Sequence, residues 1–507
     1  MTTGLASGEN TQSSRAVEPP TPQAIADCAR LLEALVAHPN LLASVDLELR
    51  NRLMIAAGRI SRPSRADQTS LSRAVRRRVR SERRAQDEAK LTRSGIRQKR
   101  LAPVFVTPDP LALLEAKGGV TNTVAPTAEE PLNTARSCYI CKVRCDRMHF
   151  FYDQMCGACG DFNYAKRTQT ADLSGRTALI SGGRVKIGYQ AAILLLRAGC
   201  RVIVSTRFPC DAALRYSREA DYAEWGHRLQ VFGLDLRHTP SVESFARHLN
   251  QNLPALDFVL HNACQTVRRP TGFYSHLMQG ELAPLSLLPE QARPLLSDYA
   301  ASECGAGRST AAFSQLALVP EDLESGHQLF PPGLLDADLQ QVDLRGVNSW
   351  RLALDQVGTV ELLEVQLVNA IAPFVLNAKL RSLMVRQRTF DKHIVNVSAM
   401  EGQFYRRFKT DKHPHTNMAK AALNMMTRTS APDYAKDGIY MNSVDTGWVT
   451  DEDPAHIAER KTRENGFHPP LDIVDGAARI VDPIFDGINT GRHAWGQFLK
   501  DYRPTAW

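Results

Sequence analysis

Three groups of residues in this 507-residue chain have the types and spacing to do chemistry. The first is CYICKVRCDRMHFFYDQMCGAC at 138–159. Cys138-x2-Cys141 and Cys156-x2-Cys159 form two thiol hooks fourteen residues apart. Zn²⁺ takes four soft ligands at tetrahedral corners, and each hook supplies two. These four cysteines are expected to hold a structural Zn²⁺ with no open position for catalysis. Cys145 and His149 lie inside the loop and read as bystanders. The second group is the glycine turn SGGRVKIG at 181–188, after the apolar run GRTALIS and before the helical GYQAAILLLRAG. Backbone N–H groups at such a turn, and the helix N-terminus behind it, can cradle a pyrophosphate. The third is Ser398 in NVSAMEG (396–402) with Lys420 in HPHTNMAKAA (413–422). A hydroxyl and an ammonium are the groups that polarise a carbonyl oxygen and tune a nearby acid.

These residues need a frame to position them. Buried strands are expected at 175–181, 200–207, 229–236, 255–263, 391–398 and 439–447, alternating with amphipathic helices. That alternation predicts an α/β protein with a Rossmann-type, doubly wound parallel sheet over 169–507. A zinc module (134–168) precedes it, then, reading backwards, a basic arm with a Pro/Thr-rich linker (65–133), a small helical region (22–64) and a disordered tail (1–21). Roughly 80 extra residues, about 265–345, separate Asn262 from Asn369. A connection that long is usually a lid or an interaction surface, so a substrate-covering or partner-binding insertion is expected.

Charge is localised. Residues 71–100 carry twelve Lys/Arg and three Asp/Glu, or +9, against +8 for the whole chain, so the remainder sums to −1. A solvated face is the plain reading of such a run; a nucleic-acid or acidic-partner patch is the sharper one, without interleaved aromatics to support single-strand binding. No apolar run approaches the length of a membrane span, the longest being AAILLL at 191–196, so no membrane role is expected. The N-terminus has no apolar signal core, and half of the ten cysteines crowd into 138–159 at metal spacing. Cytoplasmic localisation in a reducing compartment is expected.

Taken in order, the motifs from 172 to 507 resemble the short-chain dehydrogenase/reductase family. The matches are SGGRVKIG, Asp235 in GLDL, HNAC (261–264), VNAIAPF (368–374) with Asn369, NVSAMEG with Ser398, Lys420, and NSVDTGW (442–448). The resemblance implies that Gly182 and Gly188 line a pyrophosphate, with Ser181, Gly183, Arg184, Lys186, Ile187 and Ala263 in the same cofactor-binding set. It implies that Asp235 meets adenine, Asn262 supports the strand, and Lys420 holds the nicotinamide ribose. Ser398, Asn369 and Lys420 take the catalytic places. Dimers or tetramers are implied too.

Cofactor choice has a physical basis. A carboxylate ending the second strand would accept the ribose 2′-OH bond and select NAD(H). This strand ends Ser205-Thr206-Arg207, and Arg207 with Arg184 or Lys186 suits a 2′-phosphate, so NADP(H) is the expected cofactor. Three departures stand out: Lys186 replaces a glycine, Thr446 a proline, and Thr416 the proton-donating tyrosine four residues before Lys420. An aliphatic hydroxyl is far less acidic than a phenol near 10 and cannot do that job. His415, His413 and Tyr405 are the candidate replacements, His415 foremost because it directly precedes the empty place. The expected function is NADP(H)-dependent hydride transfer on an unknown small carbonyl or alcohol. The alternative is a catalytically silent cofactor-binding sensor or scaffold that binds nucleic acid or protein through the zinc module and basic arm.

Overall fold

Runs of β-branched and apolar residues form the six long strands, and in the computed structural model these are buried on both faces. Residues 20–109, 130–302, 309–323, 326–405 and 409–507 are described. Most of the expected N-terminal tail and of the Pro/Thr-rich linker lie outside them. The chain divides into two compact units, residues 1–83 and 84–507.

The first unit contains α1 (Pro22–Ala37), a 3-10 turn (Pro39–Ser44), α2 (Leu47–Ser61) and the first part of α3 (Arg65–Thr92). Pro39 starts the 3-10 turn that separates the two helices. Thr21 and Asp46 cap α1 and α2 by accepting from Ala24 N and Leu49 N. None of its described residues is buried, and Ile25, Leu31, Met54 and Ile55 are exposed.

The second unit is built on an eight-stranded sheet. Its strands are β3 (Thr177–Ser181), β4 (Arg201–Thr206), β5 (Leu229–Gly233), β6 (Phe258–His261), β7 (Lys392–Ser398), β8 (Ile439–Asp445), β9 (Phe498–Lys500) and β10 (Arg503–Thr505). The order is β10-β9-β8-β7-β6-β3-β4-β5, parallel throughout except for the β9–β10 hairpin. The expected strands are all present; the C-terminal hairpin was not anticipated, because three-residue strands carry no readable period. On one face, α6 (Lys186–Arg197) and α13 (Ile473–Thr490) bury Ile193, Leu195, Ile480 and Ile484. On the other, α8 (Thr239–Asn252), α11 (Ala372–Met384) and α12 (Pro414–Ala435) bury Phe245, Leu249, Leu376, Leu380 and Tyr434. The glycine turn and Ser398 both sit at carboxyl ends of strands, beside the β3–β6 order reversal, where open α/β sheets bind ligands.

The helical run Thr359–Met384 is long and apolar enough to cross a bilayer by length and composition. Here it flanks the sheet: α10 (Thr359–Gln366), a π-helical turn (Leu367–Ile371) and α11, whose inner face is in the core.

The cysteine module is welded to the sheet domain. It comprises a two-residue hairpin, β1 (Arg136–Ser137) with β2 (Arg144–Cys145), and α5 (Gly157–Arg167). Phe151, Tyr152 and Met155 share a core with Val449, Leu471, Ile473 and Val474. Buried Arg167 donates to both oxygens of Asp472, at 2.6 and 2.9 Å, and Tyr152 donates to Asp475 at 2.5 Å. Part of the basic stretch is structural as well. Arg97, in α4 (Gly95–Arg100), pairs with Asp153 and Glu88, and Arg100 donates to the carbonyls of Pro469 and Leu471. Buried or carbonyl-bound guanidinium groups are not free for phosphates.

The insertion emerges and returns at one point, where Arg268 N donates to Ser349 Oγ at 2.8 Å. Arg268 also forks onto Asp322 at 2.6 and 2.8 Å and reaches Glu364 at 2.9 Å. Its helix α9 (Thr271–Leu282) packs Phe273, Tyr274 and Leu277 on Phe208, next to α7 (Pro209–Tyr216).

Candidate active site

A single cleft of about 1280 Å³ runs along the carboxyl ends of the strands, from Arg207 to Trp448. Among the residues singled out from sequence, Gly182, Arg184, Lys186, Ile187, Arg207, Asp235, Asn262, Ala263, Ser398 and Lys420 line it. Ser181, Gly183, Gly188, Asn369 and His415 do not, and support it from behind.

The glycine turn is shaped by close approach. Gly182 has φ +72°, and a Cβ there would meet Ala263 Cα at 2.8 Å. A Cβ on Gly188 would lie 2.3 Å from both Asn262 Nδ2 and the Gly182 carbonyl oxygen. Asn262 Nδ2 donates to that carbonyl at 3.0 Å, and Ala263 N donates to Ser181 Oγ at 3.1 Å. Lys186 holds φ +55°, so the left-handed backbone that glycine would adopt survives under a lysine side chain. For a residue with a Cβ that costs about 1–2 kcal/mol. Its ammonium acts on the half-buried carboxylates of Asp338 and Glu452.

At the far end of β4, Arg207 donates to Tyr274 Oη at 2.6 Å and stacks over that ring at 4.7 Å. Burial would raise the Tyr274 phenol, but the charges of Arg207, Arg184 and Arg269 outweigh it and bring it below its usual value. Arg184 itself is committed to Asp211 at 2.7 Å and reaches Gln340 at 3.3 Å, so Arg207 is the freer of the two arginines. Asp235 lines the cleft with its carboxylate held by Arg237 at 2.6 Å; burial opposes ionisation, yet Arg237 keeps the group below the usual carboxylate range.

The insertion lines the cleft through Tyr274, Gln340, Asp343 and Arg345, and its return, Asn348 to Arg351, lines it too. Glu281, whose carboxylate accepts from Cys210 N and Asp211 N at 3.1 and 2.8 Å, ties α9 to the start of α7.

At the other end, Ser398 closes β7 opposite Asp445 on β8, and its buried Oγ has no protein hydrogen-bond partner among the described residues. Lys420 Nζ donates to the Val397 carbonyl at 2.8 Å. Within the π-turn, Asn369 Oδ1 accepts from Gln265 N at 2.8 Å and its Nδ2 donates to Gln265 O at 3.1 Å. Both ends of its amide are spent on that backbone.

The histidines are resolved by helical phase. His415 is buried away from the cleft with Nε2 3.3 Å from Glu361 Oε1, which corrects its assignment as the acid. Tyr405 is 99 % exposed and lines nothing. Thr416 is buried with an unpartnered hydroxyl and is also off the cleft wall. His413, with Asn417 and Lys420, faces the cleft. It caps α12 with φ +44°, donates from N to Leu352 O at 2.8 Å, and stacks on Trp350. Burial lowers its imidazole below the usual value, His415 adds to this, and Glu401 and Asn417 oppose it. Trp350 and Asn417 carried no signal in the sequence; His413 did, since it stands seven residues, two helical turns, before Lys420.

The module adds its own wall. Tyr139 and Lys142 line the cleft beside Thr446 and Gly447, and Tyr139 Oη accepts from Trp448 N at 3.1 Å. The thiols of Cys138, Cys141, Cys156 and Cys159 all lie within 4.8 Å of one another, with Cys141 and Cys156 Sγ 3.8 Å apart. A tetrahedral site with Zn–S near 2.3 Å needs sulfurs about 3.8 Å apart, so the four residues fit that metal. Burial would raise the Cys138 thiol, but backbone N–H groups of Cys156, Cys141 and Ile140 bring it down to about 7. Cys145 and His149 stay outside the group; His149 Nδ1 accepts from Phe151 N and Tyr152 N.

Several known proteins are similar to this chain. The family model of enoyl-(acyl carrier protein) reductase matches residues 354–469. An uncharacterized protein, R665, of Acanthamoeba polyphaga mimivirus is 31% identical over 381 residues, 72% of this chain and 74% of that one. Dehydrogenase/reductase SDR family member 13 of Bos taurus is 35% identical over 112 residues, 20% of this chain and only 27% of that protein. A short-chain dehydrogenase/reductase from Serratia marcescens is similar at a TM-score of 0.42, with 14% identity, over 65% of this chain and 96% of that one. With its glycine turn, its Ser398 and Lys420 at the strand ends and its parallel sheet, the chain belongs to the short-chain dehydrogenase/reductase family.

Proposed function

We propose that this protein is an NADP(H)-dependent oxidoreductase acting on a carbonyl/alcohol pair, with His413 handling the proton that a tyrosine handles elsewhere in the family. The observation that carries this reading is the convergence of Ser398, Lys420 and His413 on one end of a cleft whose other end presents Arg207. When bound, the dinucleotide supplies the hydride. The chain supplies the rest. The turn at 182–188 and the start of α6 hold a pyrophosphate, and Arg207, set by Tyr274, faces a 2′-phosphate. Lys420 holds a ribose hydroxyl. Ser398 Oγ–H donates to the carbonyl oxygen. The His413 ring donates a proton to the developing alkoxide in reduction and takes one from the alcohol in oxidation. Because burial keeps His413 neutral at neutral pH, reduction is favoured on the acid side of neutrality.

The four-cysteine group is read as a structural Zn²⁺ site, and the exposed apolar residues Phe374, Met418 and Met425 on α11 and α12 support assembly into homo-oligomers. The silent-scaffold alternative is less favoured, because the module that was to recruit a partner instead lines the cleft. A fluorescence titration tests the cofactor: NADPH should bind at least tenfold tighter than NADH. Equal affinity would remove the argument from Arg207, and no turnover across a panel of carbonyls and alcohols would remove the enzyme.

A further inference from the structure

The hairpin that carries the first thiol hook is also a wall of the cofactor cleft. Only Tyr139 and Ile140 separate Cys138 from Cys141, and Lys142 follows directly. The turn is closed on itself: Lys142 N donates to Cys138 O at 3.1 Å and Cys138 N to Val143 O at 2.9 Å, with Lys142 held at φ +63°. Lys142 Nζ bonds the Tyr139 carbonyl and lies 5.1 Å above the Tyr139 ring. Tyr139 N donates to Gln154 O at 2.7 Å, and Cys156 N to Cys138 Sγ at 3.4 Å, which ties this turn to the second hook. The backbone of the turn is therefore fixed from two sides, and one of those sides is the thiol group.

The other end of this chain of contacts is the floor of the cleft. Tyr139 Oη accepts from Trp448 N, next to Gly447 at φ +76°. A Cβ on Gly447 would come within 2.4 Å of Leu471 Cδ1 and 3.3 Å of Tyr139 Oη, so the 445–448 turn is packed between Leu471 and the module's Tyr139. That turn follows β8 beside Ser398: Asp445 pairs with Ser398 across the sheet, accepts from Gly447 N at 2.7 Å and lies 3.4 Å from Lys500 Nζ.

We infer that the four-cysteine metal site positions Tyr139 and Lys142 against the 445–448 turn and thereby sets dinucleotide affinity at the Ser398 end of the cleft. A metal held by both hooks would fix the distance between Cys138 and Cys156, and with it the turn that offers Tyr139. Without it, the link between the hooks rests on the bonds from Cys156 N to Cys138 Sγ and from Tyr139 N to Gln154 O. The module is then a metal-dependent part of the binding site rather than an appended recruiter. The inference rests on the proposed dinucleotide binding.

The test is an NADPH fluorescence titration on the full chain, with zinc content followed by elemental analysis. Three samples are compared with wild type: Tyr139→Phe, Lys142→Ala, and wild type stripped with a chelator. Both variants should keep a full complement of zinc and bind NADPH about fivefold to tenfold more weakly; the stripped protein should weaken at least as much and recover when Zn²⁺ is returned. If stripping unfolds the protein, the two zinc-replete variants decide. Unchanged affinity in both overturns this inference alone. Wild type that does not bind NADPH overturns it together with the cofactor reading.

Discussion

The imidazole of His413 lies flat on the indole of Trp350, ring centroids 3.9 Å apart and planes 7° from parallel. A stacked ring cannot swing, so the only freedom left to His413 is which nitrogen carries the proton. The partner comes from the return of the insertion and the histidine from the cap of α12, so an element outside the sheet orients the proposed proton carrier.

His413→Ala is therefore expected to lower kcat by about 10²–10⁴, the usual contribution of a positioned acid or base. His415→Ala should leave kcat within a few fold and lower the Tm, since that ring is buried against Glu361. Steady-state kinetics beside thermal melts separate the two; equal kcat losses would return His415 to candidacy.

Arg207→Ala should weaken NADPH by roughly tenfold or more while leaving NADH within twofold, as expected for loss of one charge-assisted contact to a phosphate. Tyr274→Phe, which frees Arg207 without removing it, should have a smaller effect in the same direction. Parallel titrations with both dinucleotides check this, and equal losses for both would argue that Arg207 serves folding.

Lys186→Gly isolates backbone from charge. Relief of a left-handed conformation should raise stability by about 1 kcal/mol in urea unfolding. Loss of the ammonium should weaken NADPH severalfold. A variant that binds NADPH as well as wild type would show that the lysine side chain plays no part in holding phosphates.

Two buried histidines make stability depend on pH. Burial pushes His261 down to about 4, against a hydrogen bond to Asn377 that opposes it, and His393 down to about 3. The unfolded chain protonates these rings near 6.5 and the folded one does not, so between those values the unfolded state binds more protons. Stability is thus full above about pH 6.5 and falls as pH drops towards 4, by roughly 3 kcal/mol for His261 alone. Urea midpoints at pH 7, 5.5 and 4.5 measure the slope. Replacing His261 with asparagine should flatten it, and an unchanged slope would assign the dependence elsewhere.

The six long strands and the glycine turn were legible because their apolar runs and close-approach glycines follow from local sterics. The site was legible in part. Lys420 was found by motif, and stepping back along a helix at 100° per residue puts position 413 on its face and position 415 about 140° away. Phase could have chosen His413; adjacency chose His415. The clasp between Asn369 and Gln265 was illegible because the two lie 104 residues apart in sequence. Tyr139, Lys142 and Trp350 were illegible for the same reason: only tertiary packing brings a cysteine hook and the return of an insertion to the wall of one cleft.

The bond from Arg268 N to Ser349 Oγ has an evolutionary consequence. Some eighty residues leave and rejoin the domain at a single doorstep, so the strands on either side do not register how long the excursion is. Closure entropy rises by only about 0.6 kcal/mol for each doubling of loop length. Between that doorstep and its anchors at Tyr274 and Glu281, such a segment can be lengthened or trimmed while the hydrogen-bonded frame beneath it stays constant, and the chemistry it shelters can diversify without the fold being renegotiated.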